Sequence, residues 1–209
     1  MFPPFPNNSK FIDKYPEQGT SNENISDQQK QENYEAEVNV YRALENLDIE
    51  AVVLHGLNYT NRQYALFIPE FQYDEKNPNR VTGECDFVVL GKGFVLIIEV
   101  SDIREDSSKS SNKGIRRTFN QKKKQGERTE KLVREMLKQF DGNADNFPDI
   151  RWYFACPSLS KSAVKYTEDE MSRIIFREEI LPIHEGSTPS PFMLWWENNL
   201  KINHFLTSI

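Results

Sequence analysis

Cysteine and histidine are scarce in this chain, two and three residues out of 209. Two cysteines build neither a disulfide scaffold nor a Cys-rich zinc module, and three widely spaced histidines offer no His/Cys metal cluster. Positive charge is not in excess: Lys and Arg number 26 against 32 Asp and Glu, a formal net charge of -6. That excludes a histone-like polycation, so any nucleic-acid contact has to come from a local patch. Long hydrophobic runs are missing as well. The stretch from Phe94 to Ile98 falls far short of the ~20 apolar residues a membrane helix needs. The opening Met1 to Lys10 lacks the charged start and apolar core of a signal peptide. These absences predict a soluble intracellular protein, cytoplasmic or nuclear, with reduced thiols and no membrane partner. Apolar residues make up only 37% of the chain, so part of it is expected to stay unfolded while the rest forms one domain.

The unfolded part is expected at residues 1–32. Between Pro16 and Glu32 the only large apolar residue is Ile25, which is too little burial to offset ordering entropy. The Phe-Pro-Pro-Phe-Pro start is either a disordered tip or a short docking motif for a protein partner. From Asn33 the pattern changes. Val40, Tyr41, Leu44 and Leu47 share one helical face, and Glu37, three residues before Val40, lies on it too. A carboxylate there is either paired and useful or a partly exposed first-turn residue favoured by the helix dipole. Strands are expected at Ala51 to His55, at Tyr64 to Ile68 and at Ile150 to Ala155. A helix is expected from about Arg117 to Phe140, after a polar loop over 102–118. Thr167 to Glu170 reads as a capping box before a short helix. Ser190-Pro191 opens a last helix carrying Phe192, Trp195, Trp196 and Leu200.

The most informative segment is Gly83 to Ser101. Two apolar runs flank Gly91-Lys92-Gly93, a strong hairpin signal, and near-continuous apolar strands are covered on both faces. If Lys92-Gly93 is the two-residue turn, opposed residues have numbers summing to 185, so Asp86 faces Glu99, and Ser101 shares their face. A three-residue loop would break that parity. Two opposed carboxylates repel and need a shared proton, a cation or a metal to offset them. Hard oxygens favour Mg²⁺, which keeps several waters and needs only one or two carboxylates. Such an ion polarises a phosphoryl oxygen and lowers the pKa of a bound water, which suits phosphodiester hydrolysis. The competing reading is that both acids sit at fraying strand ends in water.

These residues resemble a known family. Gly83-Glu84-Cys85-Asp86, the apolar strand after it and Ile98-Glu99-Val100-Ser101 look like the core of the nuclease-related domain, a family of the PD-(D/E)XK nuclease superfamily. Its pattern is an early helical Glu, Gly-Glu-x-Asp on one strand, Glu-Val-Lys on the next and a helix carrying a Gln. Glu37 resembles the early Glu, Glu84 and Asp86 match the strand element, Glu99 matches the Glu of Glu-Val-Lys, and Gln125 looks like the helical Gln. The resemblance covers about residues 33–140. It implies an α/β domain over 33–209 with a restriction-endonuclease-like mixed central sheet flanked by helices. Core elements would fill 33–140, and a further strand and helices 150–200. It also implies that Asp86, Glu99 and the Val100 carbonyl hold Mg²⁺ or Mn²⁺, with Glu37 acting through a water.

One position departs from the pattern. The family Lys after Glu-Val is Ser101 here, which is shorter and uncharged and cannot offset charge on a phosphate. Three readings stay open: a catalytically dead relative that keeps a binding surface, a Lys or Arg from elsewhere such as Lys122, Lys124 or Arg104, or slow cleavage by the metal alone. Nearby, Lys113, Arg116, Arg117, Lys122, Lys123, Lys124 and Arg128 form the dense positive patch of an acidic chain, at the start of the expected helix. The patch is either a phosphate-backbone contact for nucleic acid or a solvated face. Cys85 points away from Asp86 and reads as core, as does Cys156. His55 reads as structural or exposed. Trp195 and Trp196 read as packing, with docking to a protein partner as the alternative.

Overall fold

The computed structural model describes residues 27–47, 49–68, 70–71, 75–76, 81–104, 112–141, 148–165, 168–181 and 190–200. The Phe-Pro-Pro-Phe-Pro motif and Thr167 lie outside these residues. In chain order the elements are helix α1 (Asp27–Glu45), strand β1 (Ala51–Thr60), helix α2 (Asn61–Phe67), strand β2 (Val81–Gly91), strand β3 (Phe94–Val100), helix α3 (Asn112–Asp141) and strand β4 (Asp149–Cys156). A 3₁₀ turn (Lys161–Ala163), helix α4 (Glu168–Met171), strand β5 (Ile174–Phe176), helix α5 (Arg177–Ile180) and helix α6 (Pro191–Leu200) follow.

The five strands pair in the order β1-β2-β3-β4-β5. Strands β1, β2 and β3 are antiparallel neighbours. The Asp149 N–H donates to the Gly93 carbonyl at 2.9 Å and the Ser101 N–H to the Ala155 carbonyl at 3.0 Å. Both partners advance together, so β3 and β4 run parallel and the sheet is mixed. This is the α/β arrangement, sheet flanked by helices, of a restriction-endonuclease-like domain.

The chain divides into two compact units. The first holds Ile49–Glu99 and Arg116–Phe154. Its centre is the β2–β3 hairpin, where Phe87, Val88, Val89, Leu96, Ile97 and Ile98 are all buried. Phe87 pairs with Ile98 and Gly91 with Phe94, which is the sum of 185 expected for a Lys92-Gly93 turn; Gly93 has φ 80°, the left-handed region a tight reversal needs. A second cluster joins Tyr59, Tyr64, Ile68 and Leu132. Gly126 lets α3 approach the sheet, since a Cβ there would stand 2.9 Å from the Trp152 ring. The second unit holds α1, the chain from Val100 to Ile115 and the chain from Ala155 onward. In it α1 buries Ala36, Glu37, Val40, Tyr41 and Leu44, and Leu47 just beyond its end is buried too. Phe192 stacks on Trp195 with ring centroids 5.3 Å apart, and Met193 N–H donates to the Ser190 hydroxyl at 3.1 Å to cap α6.

Several elements differ from the sequence expectation. Residues 64–67, read as strand, are helical. Thr60 and Gln63 form a capping box, with Gln63 N–H on the Thr60 hydroxyl and Thr60 N–H on the Gln63 side chain, which starts a helix at Asn61. Helix α3 begins at Asn112 rather than Arg117, because Ile115 and Phe119, four residues apart, are both buried. Helix α1 begins at Asp27, so residues 27–32, grouped with the tail on composition, are helical. Side-chain bonds of Gln28 to Glu32 and Gln31 to Glu35 support that first stretch. His55 does not end β1. The strand continues past Gly56, which takes φ 65°, to Thr60, and the His55 ring lies 4.9 Å from that of Phe87.

Candidate metal and nuclease site

The hairpin register carries Asp86 and Glu99 to neighbouring positions on β2 and β3, one step beyond the Phe87–Ile98 pair. Both are buried, Glu99 completely. They are therefore not acids at fraying, solvated strand ends. On β1, His55 pairs with Phe87 and Leu57 with Cys85. Gly56 thus lies opposite Asp86 and sets no side chain of its own against that carboxylate.

What joins the two acids is Lys122 on α3. Its Nζ donates to Asp86 Oδ2 at 3.1 Å and to Glu99 Oε2 at 3.2 Å. The Lys122 side chain is 21% exposed, that of Glu99 not at all. Burial drives the Glu99 carboxyl upward and the Asp86 charge adds to this; Lys122 only partly opposes them, leaving it at about 8. Burial works against the charge on Lys122, but the two carboxylates overcome it and hold its ammonium above the ordinary lysine range. Glu99 Oε1 is buried and has no hydrogen-bond partner.

Two further contacts fix the frame. The Gln125 side-chain N–H donates to the Glu84 carbonyl, which pins α3 to β2 one helical turn beyond Lys122. One turn further, the Thr129 hydroxyl meets the Tyr59 hydroxyl at 3.2 Å. Burial pushes the Tyr59 phenol up to about 12, so it stays neutral. Cys85 faces the core, buried, its Sγ donating to the Phe87 carbonyl, and burial holds its thiol well above the usual range.

Glu37, Val100 and Ser101 belong to the second unit. Glu37 is buried on α1 and Val100 is buried at the end of β3, while Ser101 follows it, half-buried. Arg104 pairs with Asp102 at 2.9 Å and with Glu32 and Glu35. Lys113, Arg116, Arg117, Lys123, Lys124 and Arg128 are exposed along α3, with Lys123 3.8 Å from Glu127. Trp195 and Trp196 are buried, so they pack rather than present their rings; Leu194 is the exposed large apolar residue of α6.

By charge alone Lys122 is one of seven basic residues in the positive patch over residues 113–128. The signal that separates it is spacing. Ile115, Phe119, Gly126, Thr129 and Val133 are buried along α3, and Lys122, three residues after Phe119 and four before Gly126, completes a stripe with steps of three and four.

Buried hard oxygens, one of them unpartnered, fit a divalent cation such as Mg²⁺. Among the described residues no group of three or more His, Cys, Asp or Glu could form a complete protein cage, but Mg²⁺ retains waters and needs only one or two carboxylates.

A mixed sheet that places two acids at neighbouring positions of its central hairpin, under a helix, is the frame of a nuclease-fold domain. The family model of the nuclease-related domain matches residues 32–155, well over half of the chain. The chain therefore belongs to the nuclease-related domain family, of the PD-(D/E)XK kind, and its function is nuclease-related. No curated protein and no solved structure matches it. Among the described residues no helix is long and apolar enough to cross a membrane.

Proposed function

We propose that the chain is a Mg²⁺- or Mn²⁺-dependent phosphodiesterase acting on nucleic acid, with Asp86 and Glu99 as the protein ligands of the ion. The observation that carries this reading is the pair of buried carboxylates sharing one ammonium while Glu99 Oε1 has no partner. A buried, unpaired carboxylate oxygen is costly, and a cation placed there removes the cost. Bound Mg²⁺ would supply Lewis acidity toward a phosphoryl oxygen and charge stabilisation of the leaving oxygen.

In the reaction a water oxygen bonds to phosphorus and the ester P–O bond breaks with its electron pair going to the leaving oxygen. One water proton is released to solvent and the leaving oxygen takes one up, so a diester and water become a monoester and an alcohol. The chain's part is to hold the carboxylates fixed. The Gln125–Glu84 bond and the Gly126–Trp152 contact seat the helix that faces them. The parts of Glu37, the Val100 carbonyl and Ser101 rest on the family resemblance alone. The exposed basic residues Lys113, Arg116, Arg117, Lys123, Lys124 and Arg128 suit contact with a phosphate backbone. They carry no base-reading pattern, so selectivity would come from shape or ends.

Ser101 in place of the family Lys favours a second reading, a nuclease-derived module that binds nucleic acid without cutting. Thermal unfolding with and without Mn²⁺, in wild type and Asp86→Ala, tests the cation. A rise in Tm in wild type that vanishes in the variant is expected, and no rise in wild type refutes the ion site. Cleavage assays on single- and double-stranded DNA and RNA then separate hydrolysis from binding.

A further inference from the structure

Ser101 leaves the strand without a cation, yet a cation stands between the two acids. Its source is α3. Lys122 is on the stripe that packs on the sheet, where a lysine is costly unless paired, and its ammonium bonds to both Asp86 and Glu99. The helix that carries it is held firmly. Gln125, three residues on, bonds the Glu84 carbonyl, and Gly126 lets α3 lie against the Trp152 ring, where a Cβ would stand 2.9 Å away. The other basic groups that could serve are engaged or turned outward. Arg104 pairs with Asp102, Lys123 pairs with Glu127, and Lys124 is exposed.

We propose that Lys122 performs, from the helix, the work that the family pattern gives to a lysine at position 101. Its ammonium stands beside the carboxylate pair, where it orients the attacking water and offsets charge on the phosphate. Lys122 is a compact point charge on a flexible stem. It can give up one carboxylate to an incoming ion and keep the other, so its place between the acids does not obstruct the site. This inference rests on the phosphodiesterase reading.

The test uses the full chain, Mn²⁺ as the metal, and single- and double-stranded DNA and RNA as substrates. Lys122→Met keeps an unbranched stem of nearly the same length and removes the charge. Its kcat should fall about 100-fold or more, the effect of losing one charge-stabilising donor, with KM little changed. Mn²⁺ binding, followed by the EPR signal of the free ion, should persist or tighten, because a competing cation has been removed. A merely structural lysine would give the reverse: carboxylates that drift apart and bind Mn²⁺ more weakly. Adding Ser101→Lys to Lys122→Met should restore cleavage at least tenfold.

Cleavage by Lys122→Met at the wild-type rate overturns the assignment, and so does parallel loss of Mn²⁺ binding and cleavage in a folded variant. If Lys122→Met does not fold, the double variant decides, since it returns a positive charge from the strand. A folded, Mn²⁺-binding double variant that cleaves nothing also overturns the assignment. Wild type that binds Mn²⁺ but cleaves no substrate removes the role of Lys122 and leaves the ion site standing. Wild type that binds no Mn²⁺ removes the ion site and the assignment with it.

Discussion

Glu99 concentrates the physics of this protein in one side chain. It is fully buried, it shares Lys122 with Asp86, and one of its oxygens has no partner. Desolvation, with the Asp86 charge adding to it, lifts its carboxyl from 4.5 to about 8. A raised carboxyl binds its proton more tightly in the folded chain than in the unfolded one. Its contribution to stability is therefore complete below pH 4.5 and disappears as pH climbs through about 8. In EDTA, the Tm of wild type should drop between pH 5 and pH 8.5. Glu99→Gln, which cannot ionise, should drop less over the same range. Parallel curves for the two proteins would show that Glu99 ionises as easily folded as unfolded.

At the scale of elements, α3 decides how well the acids are held. Its contact with β4 depends on Gly126, where a Cβ would stand 2.9 to 3.0 Å from the buried Trp152 ring. Gly126→Ala gains about 1 kcal/mol of helix propensity but overpacks a rigid ring, at a cost of about 1–3 kcal/mol. The expected result is a net loss, read as a lower urea midpoint with unchanged slope; a higher midpoint would mean that Trp152 moves aside without strain. The sequence shows some elements better than others, for physical reasons. The β2–β3 hairpin is legible because Gly91-Lys92-Gly93 interrupts two apolar runs and a two-residue turn leaves only one register. Residues 64–68 form a short apolar run that reads as a strand, but the local capping bond between Thr60 and Gln63 starts a helix instead. Asp86 and Glu99 could be paired from parity alone. The choice among Lys122, Lys123 and Lys124 could not be made from charge, because adjacent lysines differ only in the direction a helix turns them. The buried residues on either side, Phe119 and Gly126, are what turn Lys122 inward.

At the scale of the whole molecule, a chain of net charge -6 repels a polyanion, so attraction has to be local and sensitive to salt. Lys123, Lys124 and Arg117 are exposed on α3. Reversing all three to Glu should weaken binding of labelled DNA without magnesium. It should also flatten the plot of log K against log salt by about one unit of slope for each phosphate that is no longer neutralised. Unchanged affinity and slope, measured by fluorescence anisotropy, would mark that face as solvated only. The reversal at Lys92-Gly93 carries a practical consequence. Gly93 turns the chain between β2 and β3, and its carbonyl also receives the first N–H of β4. A fluorophore, peptide epitope or split-protein junction spliced at that tip would disturb three strands at once. The exposed loop that usually tempts the engineer is, in this protein, the wrong place to cut.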